Sequence, residues 1–160
     1  MSESTVVGVP RDGTISLTNG DAATYTVSYE NGDFGYSEDR AERVVIYDRG
    51  TIVGLRSSND AVPTFSFTVH FREFMNAAAA TLLDFIYKTN NQSGATSSGG
   101  TGFEPFLVDV EFQANMSSLS GSNTKVTLTK CLLTASFAEG TPDSISISGE
   151  VYGTVTRAAG

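Results

Sequence analysis

The sequence predicts a mainly β protein, an antiparallel β-sandwich or barrel with one flanking α-helix at about residues 77–88 and with long loops. Apolar and polar residues alternate through Phe65, Phe67, Val69 and Phe71, which is the two-residue period of a half-buried strand. Clusters rich in Gly, Asn and Asp separate six or seven such segments. Short strands with regular turn signals are typical of sandwiches and barrels.

Two hairpins are expected early in the chain. TISL is followed by the turn TNGDAA and by the alternating segment ATYTVSYE. ERVVIYDRGTIVGLR places Asp48, Arg49 and Gly50 between two apolar runs, where glycine can supply a positive φ. Three longer strands are expected in FLVDVEFQAN, KVTLTKCLLTASF and SISISGEVYGTVT.

After Asn76 the period becomes helical. Asn76 is the predicted N-cap, and Asp84 and Lys88 fall on the polar side one turn apart. The apolar stripe consists of Ala79, Leu82, Leu83 and Ile86. Because a helix of about a dozen residues is marginal alone in water, we expect this stripe to pack on the sheet.

Length, charge and cysteine content limit the class of protein. The 160 residues fit a single domain, 1–160, in which residues 1–12 are expected to form a flexible N-terminal arm. The first residues carry no signal-peptide pattern, so we expect a soluble protein made inside the cell. The net charge of −8 opposes tight binding of nucleic acid. Cys131, the one cysteine, is expected to be a small buried hydrophobe.

The sequence offers little catalytic chemistry. His70, the one histidine, lies on the polar side of a predicted strand without a nucleophile or acidic motif beside it. Zinc-binding and calcium-binding spacings are absent, and the glycines of SSGGTG follow a helix where a phosphate loop would precede one. We therefore expect no enzyme, no metal and no cofactor.

Two long loops interrupt the strands. Residues 30–42, ENGDFGYSEDRAE, carry mixed charge together with Phe34 and Tyr36, and form either a contact site or a solvated hairpin tip. Residues 89–102 are rich in Gly, Ser, Thr and Asn and have no apolar anchor in their sequence, so a flexible loop is expected there.

Several segments in order resemble the tail tube protein of long-tailed, non-contractile bacteriophages. These are YDRGTIVGLR, the strand PTFSFTVHF, the helix ATLLDFI, the polar loop and the late strands. The closing pattern F-x-E-G-x-P-x-x-I-S-x-S-G is present as Phe137, Glu139, Gly140, Pro142, Ile145, Ser146 and Gly149. The similarity spans most of residues 13–157.

The resemblance implies a virion structural protein that self-assembles into stacked hexameric rings, forming a hollow tube through which DNA is ejected. Its partners would be other copies of itself and the tape measure, tail tip and terminator proteins, with transient passage of DNA and no membrane binding. The protein would be made in the host cytoplasm and located in the virion tail. Tubes of contractile tails and of type VI secretion share this architecture and remain an alternative.

Within that resemblance, two residue sets receive roles. Loop 30–42 with Arg43 is expected to stack successive rings, because two aromatics flanked by mixed charges can bury area and fix register. The stacking residues are Asp33, Phe34, Tyr36, Glu38, Asp39, Arg40, Glu42 and Arg43. An acidic strand face would line the bore and repel phosphates. The lumen-facing acids are Asp109, Glu111 and Glu150, the last in a row with Ser144, Ser146 and Ser148.

A monomeric ligand-binding β-sandwich is the competing class of protein. The chain has no tryptophan on which a sugar could stack, but Tyr25, Tyr29, Tyr36 and Tyr47 are aromatic residues that leave a ligand-binding site as an alternative. An enzyme would need a pocket built around His70 with perturbed acids nearby. The oligomeric state separates these classes.

Overall fold

The computed structural model describes residues 13–27, 33–70, 81–115, 123–140 and 144–159. They contain ten strands and one α-helix: β1 Gly13–Thr18, β2 Thr24–Val27, β3 Gly35–Ser37, β4 Arg43–Asp48, β5 Thr51–Ser57, β6 Thr64–His70, α1 Leu82–Tyr87, β7 Val108–Ala114, β8 Thr124–Ala138, β9 Ser144–Val151 and β10 Val155–Ala159. A 3-10 turn covers Asn90–Gln92. The expected N-terminal arm lies outside the described residues.

Eight strands form the main sheet. Its order is β2-β1-β7-β8-β9-β6-β3, with β10 paired to β8 in addition, and β4 and β5 form a separate two-stranded sheet. Every pairing is antiparallel. The predicted mainly β, antiparallel class with a helix is confirmed. Among the described residues the sheet does not close into a barrel, because β2 and β3 lie at its two ends.

The long strand β8 belongs to both halves of the sheet. Its first part pairs with β7 and β10, whereas its second part pairs with β9. Between the two parts Lys130 adopts φ 54°, and its N–H donates to the Asp109 carboxylate at 2.9 Å. The irregularity keeps the inward residues on one side: Val126, Leu128, Cys131 and Leu133 are all buried. The sheet can therefore curve around a single core.

Alternate residues of the strands form that core, as their two-residue period predicts. Phe65, Phe67 and Val69 of β6 are buried, and so are Ile145 and Ile147 of the adjacent β9. The other core side chains come from β1, β2, β7, β8 and the helix, in one continuous cluster. Cys131 is a member with no exposed surface, which confirms its predicted burial.

The helix flanks the core but differs in detail from the prediction. It begins at Leu82 after an extended N-cap, Thr81, whose hydroxyl accepts from the Asp84 N–H, and it ends at Lys88 in the left-handed region. The predicted start at 77 and the predicted cap Asn76 lie outside the described residues. Leu82 and Ile86 are buried as expected.

Asp84 was expected on the solvated side of the helix, and that expectation is wrong. Its residue is 1% exposed, and its carboxylate accepts from the Thr89 hydroxyl at 2.9 Å and the Asn90 amide at 2.6 Å. Burial opposes the charged form of Asp84, but these hydrogen bonds and those from Thr81 outweigh it, so its pKa is lowered. The carboxylate thereby ties the helix to the loop that follows.

The loop at residues 89–102 has anchors that its composition did not reveal. Ala95 is buried. The Thr96 N–H donates to the Asp21 carboxylate at 2.7 Å, and the Gly20 N–H donates to the Thr96 carbonyl at 2.8 Å. A Cβ on Gly20 would lie 2.4 Å from the Ser97 carbonyl oxygen, so glycine permits this close approach. The loop is held against the turn between β1 and β2.

Candidate functional site

The β4–β5 hairpin stands apart from the main sheet. Its two strands pair with each other from Arg43 and Ser57 to Asp48 and Thr51, and β4 and β5 form a two-stranded sheet of their own. The predicted tight turn is present, with Arg49 at φ 50° and Gly50 at φ 83°. A two-stranded hairpin alone is only marginally stable in water, so further contacts are needed to hold it.

Both faces of the hairpin expose large apolar side chains. Val45, Tyr47 and Leu55 share one face, and Val44 and Ile46 lie on the other, as the register requires. The exposed fractions of the hairpin's large apolar residues run from 37% to 63%: Val44, Val45, Ile46, Tyr47, Ile52, Val53 and Leu55. Contiguous exposed apolar surface of this kind marks an interaction site on a protein.

The charge of the hairpin region is opposite to that of the rest of the chain. Residues 40–57 contain four arginines and two acids, a formal charge of +2. The whole chain carries −8, so the remaining residues carry −10. An apolar hairpin with a basic character therefore projects from an acidic body.

Part of the expected stacking segment is built into the fold rather than forming a free loop. The Asp33 carboxylate accepts from the Thr68 N–H at 2.9 Å. Phe34 is half-buried and stacks on Phe112, with ring centroids 4.6 Å apart and planes 6° apart. Tyr36 lies in β3, paired with Phe65 of β6. Residues 33–38, which we call the strap, thus pack along the edge of the core.

The remaining predicted stacking residues run from the end of the strap, Glu38, to the first residue of the hairpin, Arg43. Asp39, Arg40, Glu42 and Arg43 are exposed, and the Glu42 carbonyl accepts from the Ser58 N–H at 2.7 Å at the base of the hairpin. Glu38 forms an ion pair with Arg157 of β10. The structure thus places the charged members of the set at the root of the exposed hairpin.

The three predicted lumen acids lie on one polar face of the main sheet, opposite the core. The register places Glu111 beside Ser16 and Thr127, and Glu150 beside Thr64 and Leu132. Hydroxyl residues make up most of the face around β6 and β9: Thr64, Ser66, Thr68, Thr134, Ser136, Ser144, Ser146 and Ser148. A groove of about 570 Å³ on this face is lined by hydroxyl residues and Glu150, together with Tyr36, Phe65 and Leu132.

Each of these acids has a partner. Asp109 supports the irregularity in β8 by accepting from Lys130, Glu111 forms an ion pair with Lys125 at 3.0 Å, and Glu150 accepts from the Tyr152 hydroxyl. That hydrogen bond raises the pKa of Tyr152. The face is therefore closer to a neutral hydroxyl surface than to a strongly acidic one.

The described ranges offer no group of three or more His, Cys, Asp and Glu side chains placed to hold a metal ion. Across those same ranges, a helix of the length and apolarity required to cross a membrane is likewise absent.

Comparison with solved structures finds chains of similar fold. Neither a family model nor a curated sequence matches the chain. A chain of an extracellular contractile injection system, the PVC sheath-tube complex in its extended state, matches with TM-score 0.55 at 11% identity, covering 99% of this chain and 100% of its own. A chain of the anti-feeding prophage cap, described as a tube-terminating cap, matches with TM-score 0.54 at 12% identity, covering 100% of this chain and 97% of its own.

A third chain comes from the PVC sheath/tube terminator, with TM-score 0.53 at 11% identity, covering 91% of this chain and 93% of its own. The fold is therefore one found in tube-bearing contractile injection systems. The sequence resemblance was drawn instead to non-contractile phage tails, and these neighbours do not support that subclass.

Sequence reasoning found the hairpin but missed its apolar surface. The signal was present, since VVIY and IV are apolar at consecutive positions whereas a half-buried strand is apolar at alternate ones. A continuous apolar run is usually read as a strand buried on both faces. Only the fold shows that the described part of this chain leaves both faces of the hairpin uncovered.

Proposed function

We propose that this chain is the structural subunit of a tail-like tube, built when copies of the chain stack on one another. The observation that carries the proposal is the separate β4–β5 hairpin with exposed apolar residues on both faces. Such a surface needs a partner that covers two sides at once. The fold shared with chains of tube, terminator and cap assemblies supports the proposal.

A second copy of the chain is the occupant that the charges favour. The hairpin region carries +2 and the rest of the chain −10, so a hairpin from one copy would be attracted to the body of the next. A contact between two different surfaces of identical subunits is head-to-tail. When its rotation does not close into a ring, it continues along an axis, which is the geometry that a tube requires.

The stacking contact is accordingly centred on the hairpin rather than on the strap. In this proposal Val53 and Ile52 near the hairpin tip bury apolar area, and Arg40, Glu42 and Arg43 at its root pair with charges of the next copy. Asp33, Phe34 and Tyr36 serve the contact by holding the hairpin root. Glu38 ends the strap, and Asp39 connects it to the root of the hairpin.

The proposal extends to the rings, to the ends of the tube and to the type of particle. Copies would close laterally into six-membered rings before stacking, and the tube would contact other tail proteins, such as a terminator, at its ends. The structural neighbours favour a tube of the contractile type. The particle would be a phage tail or a related injection device, and the role is structural rather than enzymatic.

The polar face of the main sheet is the proposed lining of the bore. Its hydroxyls give a surface with little net charge, since Glu111 is paired with Lys125 and Glu150 adds one negative charge. A passing DNA chain would therefore meet few unpaired cations able to hold its phosphates. Asp109 is the least suited of the three acids to this role, since its carboxylate is engaged with the Lys130 N–H.

Assembly is tested by sedimentation velocity and negative-stain electron microscopy of the concentrated protein. Wild type is expected to form tubes or stacked rings, and the variant Ile52→Ser with Val53→Ser is expected to remain small while keeping its circular dichroism spectrum. Val62→Ser, which removes an apolar residue 43% exposed outside the hairpin, is the matched control. A wild-type protein that stays monomeric at every concentration would favour the ligand-binding module instead.

Lining of the bore needs a separate test. Glu111→Lys should preserve folding, because it breaks one exposed ion pair, and it should slow DNA release from assembled particles by placing a cation on the path. Ser146→Lys repeats the change on β9. Normal release from both variants would remove this face from the bore.

A further inference from the structure

One row of residues on the core side of the main sheet crosses β7, β8 and β10, and β10 forms an edge there. The register pairs Phe112 of β7 with Val126 of β8, and Val126 with Arg157 of β10. Directly paired residues of antiparallel strands point to the same side of a sheet. Phe112, Val126 and Arg157 therefore lie side by side, and the row ends in an arginine at an edge strand.

The strap contacts both ends of this row. Phe34 stacks on Phe112, and four residues later Glu38 forms an ion pair with the Arg157 guanidinium. The Arg157 Nε–H also donates to the Tyr36 hydroxyl at 3.2 Å. One short segment is thus held at one end by an aromatic stack and at the other by an arginine more than 115 residues away in sequence.

The fastened end of the strap is also the root of the hairpin. Only residues 39–42, all but Ala41 exposed, separate Glu38 from the first residue of β4. The position of Arg157 therefore limits the directions in which the hairpin can project. Without that contact, the last residues of the strap would be fixed mainly by the three-residue pairing of β3 with β6.

We propose that Arg157 is a positioning residue for assembly: it clasps the strap through Tyr36 and Glu38 and so pre-orders the hairpin for its copy-to-copy contact. This inference rests on the proposed tube function. A segment that is already ordered loses less entropy on binding, so the clasp lowers the concentration at which copies stack. The clasp also links the last described strand, β10, to the stacking hairpin.

The first test needs no assembly. Amide hydrogen exchange is measured on dilute, unassembled protein for wild type, Arg157→Ala and Thr156→Ala. Thr156 is the matched control, since it is exposed on the same strand and pairs with Thr127 on the opposite face. Arg157→Ala is expected to speed exchange throughout residues 39–57 and to leave exchange in β6 and β9 unchanged. Equal hairpin exchange in all three proteins would overturn the clasp.

The second test measures the concentration needed for assembly. Arg157→Ala should raise it about threefold or more, the effect of roughly 0.7 kcal/mol per subunit at 1.4 kcal/mol per factor of ten. The reciprocal exchange Arg157→Glu with Glu38→Arg should restore much of the loss that Arg157→Glu shows alone. If wild type assembles and Arg157→Ala assembles at the same concentration, the clasp is refuted. If wild type does not assemble, the tube function is refuted, and the amide hydrogen exchange measurement alone decides the clasp.

Discussion

Replacing Phe34 by alanine separates a packing role from a stacking role for this residue. On the sequence alone Phe34 was expected to contact the next ring, so its removal would leave the subunit folded and block only assembly. The structure places its ring 4.6 Å from that of Phe112 and within 6.4 Å of those of Phe65 and Phe67. We therefore expect Phe34→Ala to destabilise the free subunit.

The magnitude follows from the burial of the ring. A fully buried Phe→Ala change costs about 3–5 kcal/mol, and a well-placed aromatic pair contributes about 0.5–1.5 kcal/mol of such an effect. Because Phe34 is half-buried, we expect a loss of roughly 2–3 kcal/mol in the free energy of unfolding. For a chain of this size that corresponds to a fall of about 4–12 °C in Tm.

Urea and thermal unfolding of unassembled protein, followed by circular dichroism, measure this loss. Tyr47→Ala is the paired control, because Tyr47 is an aromatic residue of the hairpin with 62% of its surface exposed. It should change the free energy of unfolding by less than about 0.5 kcal/mol while weakening assembly. If Phe34→Ala unfolds at the wild-type midpoint, the strap is not a packed part of the subunit.

Three further predictions concern stability and reactivity. Gly149→Ala should lower the free energy of unfolding by about 1–3 kcal/mol, because a Cβ there would lie 2.4 Å from Phe65 Cζ and 2.8 Å from Leu133 Cδ2. Gly35→Ala, which has open space around it, should be nearly neutral in the same urea unfolding experiment. The pKa of Asp84 is lowered in the native protein from its ordinary value of 3.8, so its contribution to the free energy of unfolding is complete above pH 3.8 and is lost as the pH falls through the native pKa. Asp84→Asn should therefore flatten the acid side of a plot of stability against pH. An unchanged plot would contradict this. Burial, with the Asp109 charge second, raises the pKa of Cys131 to about 12, so a maleimide at pH 8 should label it only after unfolding; rapid labelling of the native protein would count against its burial.

Local pattern determined much of the fold. Alternation at Phe65, Phe67 and Val69 correctly placed those side chains in the core, because a strand directs successive residues to opposite faces whatever its partners are. The turn at Arg49 and Gly50 followed from local backbone preference. Asp109, Glu111 and Glu150 were placed on the polar face of their strands for the same reason, and the register puts all three on one face of the main sheet.

Tertiary structure decided the features that depend on distant parts of the chain. Phe34 was assigned to the contact between rings because nothing near it in sequence reveals Phe112. Asp84 was assigned to solvent because its acceptor role depends on how Thr89 and Asn90 fold back. The apolar runs of the hairpin predict strands, but whether a strand is covered is a property of the whole fold. Sequence fixes the faces of each element by local geometry, and only long-range packing determines which faces meet and which remain open for another copy.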